Sequence, residues 1–170
     1  LHKLLKTKKI NLFSNPYLDD TVRIAEMIGD MKQDVESAIG NIEPQKWSTE
    51  KIRNHVRKRL SWTDIYFYLV ADIGEDIIGV IEVKFRTNKC LYLSKGFVEP
   101  PFRKQGIIKM LEDQLVCIAR TRGVKEIELK VKESNKPGVK TWTCLGYKRE
   151  EVIEKKGYKS LLVKKVIDAN

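Results

Sequence analysis

Hydrophobic positions along the chain follow two periods, and the change between them falls near residue 65. Before it, Ile24, Ile28, Met31, Val35 and Ile39 recur at spacings of four, three, four and four, one stripe of a helix. Asp19 or Asp20 can cap that helix, Gly29 breaks or bends it, and Gly40 and Pro44 punctuate its end. Ser48 is the expected N-cap of a second helix that turns Ile52, Val56 and Leu60 inward. After residue 65 the texture becomes aromatic and β-branched. Strands are expected over 66–72, 77–86 and 90–98, joined by turns at 74–76 and 87–89, and Pro100 and Pro101 stop this meander. A helix follows over 104–121, with Ile107, Leu111, Leu115 and Ile118 on one side and Gly123 past its end. The remainder reads as a strand over 126–132, a helix over 137–145 closed by Gly146, and a hairpin of 147–154 and 158–167. The whole is a mixed α/β order in which helices cover a central sheet.

Composition narrows the class. The 170 residues suit one domain, read here as 1–170, with 42% apolar and 33% charged residues, a globular balance. No apolar run reaches the roughly 18 residues of a membrane span, and no signal-peptide core is seen at the start. Cys90, Cys117 and Cys144 are odd in number and lack metal-ligand spacing, so a disulfide framework and a zinc finger are excluded and a reduced, cytoplasmic setting is the default. The net charge of +10 favours polyanionic partners or simply solubility, and decides nothing alone.

The candidate chemistry lies in VEPPFRKQGII, residues 98–108, where a strand passes into a helix. Such a turn presents unpaired backbone N–H groups at a helix amino end, and with Arg103 and Lys104 beside them it suits a pyrophosphate. Arg103, Gly106 and Ile108 stand at the spacing R-x-x-G-x-G/A, which resembles the acetyl-CoA loop of the GNAT acyltransferase superfamily. NKPGVKTWTCLGY, residues 135–147, is similar to that family's second signature, N-x-x-A-x-x-x-Y-x-x-x-G-F. The resemblance covers roughly 64–167.

It implies a GNAT-like mixed, mostly antiparallel sheet of about six to seven strands with helices on both faces. It also implies direct transfer of an acetyl group from acetyl-CoA, as co-substrate, to a primary amine. Pantetheine would lie where the fourth and fifth strands splay apart, held by backbone of Phe97 and Val98. The Val98 N–H would face the thioester oxygen, where negative charge develops. Amides of Lys104, Gln105, Gly106, Ile107 and Ile108 would hold the pyrophosphate, with Arg103 at the start of the loop. Asn135 would hydrogen-bond near the pantetheine arm or the cofactor-side helix.

Departures from the pattern matter. Ile108 replaces a small residue and either narrows the pyrophosphate site or points into the core. Trp142 stands where the family has a tyrosine proposed to protonate the leaving thiolate, and an indole is no acid near neutrality. Tyr147 takes the usual Phe position and Gly138 the usual Ala. No general base is evident. Tyr92, Ser94 and Lys130 occupy positions where some relatives carry a glutamate, and Glu82, Glu99, Glu128 and Glu133 read as surface carboxylates. His2 and His55 adjoin no motif, and Cys144 reads as a small buried hydrophobe. The cluster Lys51, Arg53, Arg57, Lys58 and Arg59 reads as a solvated face or as the border of a groove for an acidic acceptor, nucleic acid included. Cationic aminoglycosides need acidic clefts and fit poorly as acceptors. The rival reading is a catalytically weak module that binds acyl-CoA or nucleic acid. Acceptor identity and homodimer formation stay open.

Overall fold

Side-chain alternation on the strands sorts the molecule into layers. The computed structural model describes residues 11–14, 23, 24, 26, 27, 49–60, 65–74, 76–155 and 157–168. Their elements are β1 (Asn11–Ser14), α1 (Thr49–Leu60), β2 (Tyr66–Ile73), β3 (Asp76–Thr87), β4 (Cys90–Val98), α2 (Ile107–Thr121), β5 (Glu126–Lys132), α3 (Lys136–Cys144), β6 (Lys148–Lys155) and β7 (Tyr158–Val166). One seven-stranded sheet runs β1-β2-β3-β4-β5-β7-β6. Every pairing is antiparallel except that of β4 with β5.

Successive strand residues point to opposite faces, so each face gathers its own core. On one face Leu91, Leu93, Ile127, Leu129 and Val131 pack against Ile107, Leu111, Leu115 and Ala119 of α2 and against Trp142 of α3. The i, i+4 spacing of those α2 residues is what makes the helix bury one stripe. On the other face Tyr68, Val70, Val80 and Phe97 pack against Val56 of α1 and against the helical residues Ile24 and Met27. The expected helices on both faces are therefore present.

Two differences from the sequence reading have plain causes. The strand β1 went unread because four residues show too little alternation. The helix expected from 104 starts at Ile107, because Lys104 (φ 59°) and Gly106 (φ 85°) both hold left-handed backbone that no helix tolerates. Ile28, Met31, Val35 and Ile39 of the first expected helix, with Asp19, Asp20, Gly29, Gly40, Pro44 and the cap Ser48, lie outside the described residues.

Two irregularities of β4 position the site. Its pairing with β5 covers only Cys90–Tyr92 against Glu126–Glu128, after which the strands part. On its other edge Glu82 faces Lys95 while Val83 faces Leu93, leaving Ser94 as an extra residue. Such a bulge turns Ser94 and Lys95 to the same face of the sheet.

Candidate active site

The parting of β4 from β5 leaves one edge of β4 without a strand neighbour. The Glu99 N–H donates to the Ile78 carbonyl at 2.9 Å on the β3 side. By strand alternation the Val98 backbone then faces the opening, as does that of Gly96, while the Phe97 backbone is turned to β3. The Val98 carbonyl accepts a hydrogen bond from Arg103 Nε at 2.8 Å, and by the same alternation its N–H is on the side of the opening. Phe97 has its side chain in the second core, with the Arg103 guanidinium 5.1 Å from its ring centre. Its side chain is thus strand core, and Gly96 is the neighbour that the sequence did not single out.

The loop after β4 is built to present amides. A 3-10 turn over Pro100–Phe102 leads to Arg103, whose N–H returns to the Pro100 carbonyl, and the Gln105 side chain donates to the Pro101 carbonyl at 2.8 Å. Gly106 is the N-cap of α2, and no side chain caps the helix. The first amides of α2 have no intrahelical partner, so this end carries partial positive charge beside Lys104. The φ of 85° at Gly106 is the reason glycine stands there, since nothing lies within 4 Å of where its Cβ would be.

A groove of about 670 Å³ runs from this loop along Gly96–Val98 to α3. Asn135 is the N-cap of α3, and its side chain accepts from the Gly138 N–H at 3.1 Å. Asn135 thus caps its own helix α3 and also borders the groove. Ile108 is half-buried, and it and Trp142 converge over Gly96: a Cβ there would stand 3.4 Å from Ile108 Cδ1 and 3.4 Å from Trp142 Cζ2. Ile108 therefore points toward the sheet and forms groove wall at the same time. Trp142 is buried, edge-on to Tyr147 with ring centres 5.5 Å apart. Burial first, and Glu112 second, push the Tyr147 phenol well above its ordinary value, so it cannot replace the missing acid. Cys144 is exposed on the groove, a correction to its expected burial: it sits in the last turn of α3, on the side away from the sheet.

The opposite face of β4 holds charges that were read as surface groups. Glu82 is fully buried. Its carboxylate accepts from Tyr68 Oη at 2.6 Å, from Lys95 Nζ at 2.7 Å, and from Arg59 and Ser94. His55 Nε2 lies 3.7 Å from it and 3.2 Å from Lys95 Nζ. Burial alone would raise the Glu82 carboxyl. The adjacent His55 ring, the Lys95 charge and hydrogen bond, and the Ser94 hydroxyl together outweigh it and hold Glu82 well below the carboxylate range. Burial lowers Lys95, with Glu82 opposing, and burial and then Glu82 raise Tyr68. Glu82 is thus a held anion and a poor base.

Glu128 is likewise buried, paired with Arg86 and 3.9 Å from Lys164. Glu99 pairs with Arg23 at 2.5 Å, which leaves it structural. Of the basic cluster, Lys51, Arg53, Arg57 and Lys58 are exposed, whereas Arg59 turns inward to Glu82. Ser94 and Tyr92 line a second pocket together with Lys130. The signal for Glu82 was available in principle: a lone acid at an inward step of a strand otherwise rich in Val and Ile.

Comparison with known proteins agrees with this geometry. The sequence model of the Acetyltransferase (GNAT) family matches residues 33–147, and the chain belongs to that family. A relative, the spermidine N(1)-acetyltransferase of Thermoplasma acidophilum, is 31% identical over 107 residues, 63% of this chain and 65% of the relative's own length. The crystal structure of the PaiA N-acetyltransferase of the same organism, in complex with coenzyme A, superposes with TM-score 0.73 at 20% identity, covering 93% of this chain and 99% of that one. The Salmonella typhimurium acetyl transferase that modifies the N-terminal serine of ribosomal protein L7/L12 superposes with TM-score 0.77 at 15% identity, covering 95% and 96%. Among the described residues no helix is long and apolar enough to cross a membrane.

Proposed function

We propose that the chain, as one domain, transfers an acetyl group from acetyl-CoA to a primary amine by direct attack. The observation that carries this reading is the opening between β4 and β5, with the Val98 N–H on its rim and the uncapped amino end of α2 at its mouth. The residues present fit the co-substrate. Unpartnered amides from Lys104 to Ile108, flanked by Arg103 and Lys104, match a pyrophosphate, and the bare edge of β4 matches an extended amide-bearing arm.

Acetyl-CoA supplies an activated acyl group: one C–N bond forms, one C–S bond breaks, the amine gives up a proton to solvent, and the sulfur takes one. The Val98 N–H is aimed where the carbonyl oxygen gains charge. Trp142 and Ile108 wall the groove and exclude water over Gly96. Neither Trp142 nor the raised Tyr147 phenol serves as acid, and a thiol of ordinary pKa, about 8.5, leaves as thiolate without one.

Spermidine is the acceptor named for the T. acidophilum relative, and for this chain it is one candidate to be assayed, no more. The test separates binding from turnover. Calorimetry with acetyl-CoA is expected to show one site, and thiol release is expected to require an added amine. Binding without release under any amine would support a binding module instead. Absence of binding would reject the reading.

A further inference from the structure

We infer that the acceptor is a small amine that also carries a carboxylate or phosphate, and that this anionic group sits in a pocket on the face of the sheet opposite α2 and α3. The inference rests on the acyl-transfer reading above and adds the substrate class. The pocket measures about 300 Å³ and is bounded by Arg59 of α1, Lys84 and Arg86 of β3, Tyr92 and Ser94 of β4, and Lys130 of β5. Tyr92, Ser94 and Lys130 border it at the point where β4 and β5 separate, so it meets the opening from the side away from the coenzyme groove. An amine reaching the Val98 rim would leave the rest of its molecule here.

The charge of the walls selects that remainder. Among the described residues, four cationic side chains line the pocket and no carboxylate does. The two nearest carboxylates are buried behind the wall, Glu82 holding Arg59 and Glu128 holding Arg86. Lys84 lies over the Tyr66 ring at 5.6 Å, and among the described residues neither Lys84 nor Lys130 forms an ion pair. Two cations are therefore compensated and two are left facing the cavity. Planar guanidiniums anchored from behind keep their outer N–H groups for a second oxyanion, and the Tyr92 and Ser94 hydroxyls add donors. The cavity has room for a group of amino-acid size and none for a nucleic-acid strand.

The same field assists the chemistry. A like charge nearby disfavours an ammonium ion, so the acceptor's amine loses its proton to solvent more readily at this mouth. That supplies reactive amine where, among the described residues, no side chain is placed as a base. A polyamine would instead carry further positive charges into a positive pocket.

Calorimetric titrations of the whole chain, saturated with coenzyme A, can use 2-aminoethyl phosphate and L-glutamate against ethanolamine and spermidine. At least one of the two anionic amines is expected to bind, and which one identifies the oxyanion. Its affinity should fall with salt and should weaken roughly tenfold or more in the double variant Lys84→Ala/Lys130→Ala, whose exposed or half-exposed lysines form no ion pair among the described residues. Tighter binding of spermidine, unchanged binding in the double variant, or binding of an acidic peptide or oligonucleotide without either small anion would overturn the inference. A failed transfer assay with every amine would strike the acyl-transfer reading, while these titrations would still decide the pocket.

Discussion

The two sides of the β4–β5 opening are built from different materials. On the proposed coenzyme side, the groups offered are backbone: the Val98 N–H, the amides before and within the first turn of α2, and a glycine that leaves space. On the proposed acceptor side, the groups offered are side chains, drawn from α1, β2, β3, β4 and β5, and tied together through two buried carboxylates. Backbone recognition depends on a conformation that a short run of residues can specify. Side-chain recognition from five elements depends on the fold. A reaction with one constant and one variable substrate fits this division.

The largest expected effect strikes the acceptor side. Glu82→Ala leaves Arg59 and Lys95 turned inward with no anion, and removing one partner of a buried ion cluster costs about 3–5 kcal/mol. Denaturant melts should show that loss. Glu82→Gln gives a pH test. The folded carboxyl lies below its ordinary value of 4.5, so its contribution is complete above that pH and is lost as pH falls toward the folded value. Stability of the parent should therefore fall below pH 4.5 more steeply than that of Glu82→Gln. Parallel curves would show that Glu82 is not held as an anion.

Next in size is the coenzyme side. Gly106→Glu puts a side chain at φ 85° and a negative charge on the helix end that would face the pyrophosphate. Acetyl-CoA affinity should drop about a hundredfold or more, about 3 kcal/mol, on a variant whose circular dichroism is unchanged. Unaltered affinity would remove that loop from the site.

Trp142→Phe sharpens the comparison at the wall of the coenzyme groove. Acetyl-CoA binding should stay within a few-fold of the parent, with stability lowered by about 1–2 kcal/mol for the lost packing on Tyr147. Trp142→Tyr should not lower turnover, because no acid function is removed. Intact binding with all activity gone in Trp142→Phe would contradict this. The smallest effect belongs to Arg53→Ala/Arg57→Ala on the exposed side of α1, expected within about 0.5 kcal/mol of parent stability and without effect on a small acceptor's KM. A large rise in KM would move the acceptor from the pocket to the helix surface.

Legibility in the sequence divided along the same line. The strands from β2 to β7, α2, α3 and the 98–108 loop could be read because their periods and glycines are local. The start of α2 was misplaced by three residues, since nothing in Arg-Lys-Gln-Gly announces a left-handed Lys104. Glu82 and Glu128 looked like surface acids because their partners lie 23 and 42 residues away, in Arg59 and Arg86. His55 adjoins no motif in sequence and stands beside Glu82 only once α1 crosses β3 and β4. The bulge at Ser94 had no composition signal at all, yet it is what turns Ser94 and Lys95 together onto Glu82.

The central claim is that acetyl-CoA lies in the opening with its thioester at Val98 and its pyrophosphate at the amino end of α2. A crystal structure of the acetyl-CoA complex tests it most directly. The account predicts the thioester oxygen about 2.9 Å from Val98 N and phosphate oxygens at similar distance from amides within 104–108. Acetyl-CoA bound elsewhere, or bound here with the Val98 N–H turned to another acceptor, would contradict it.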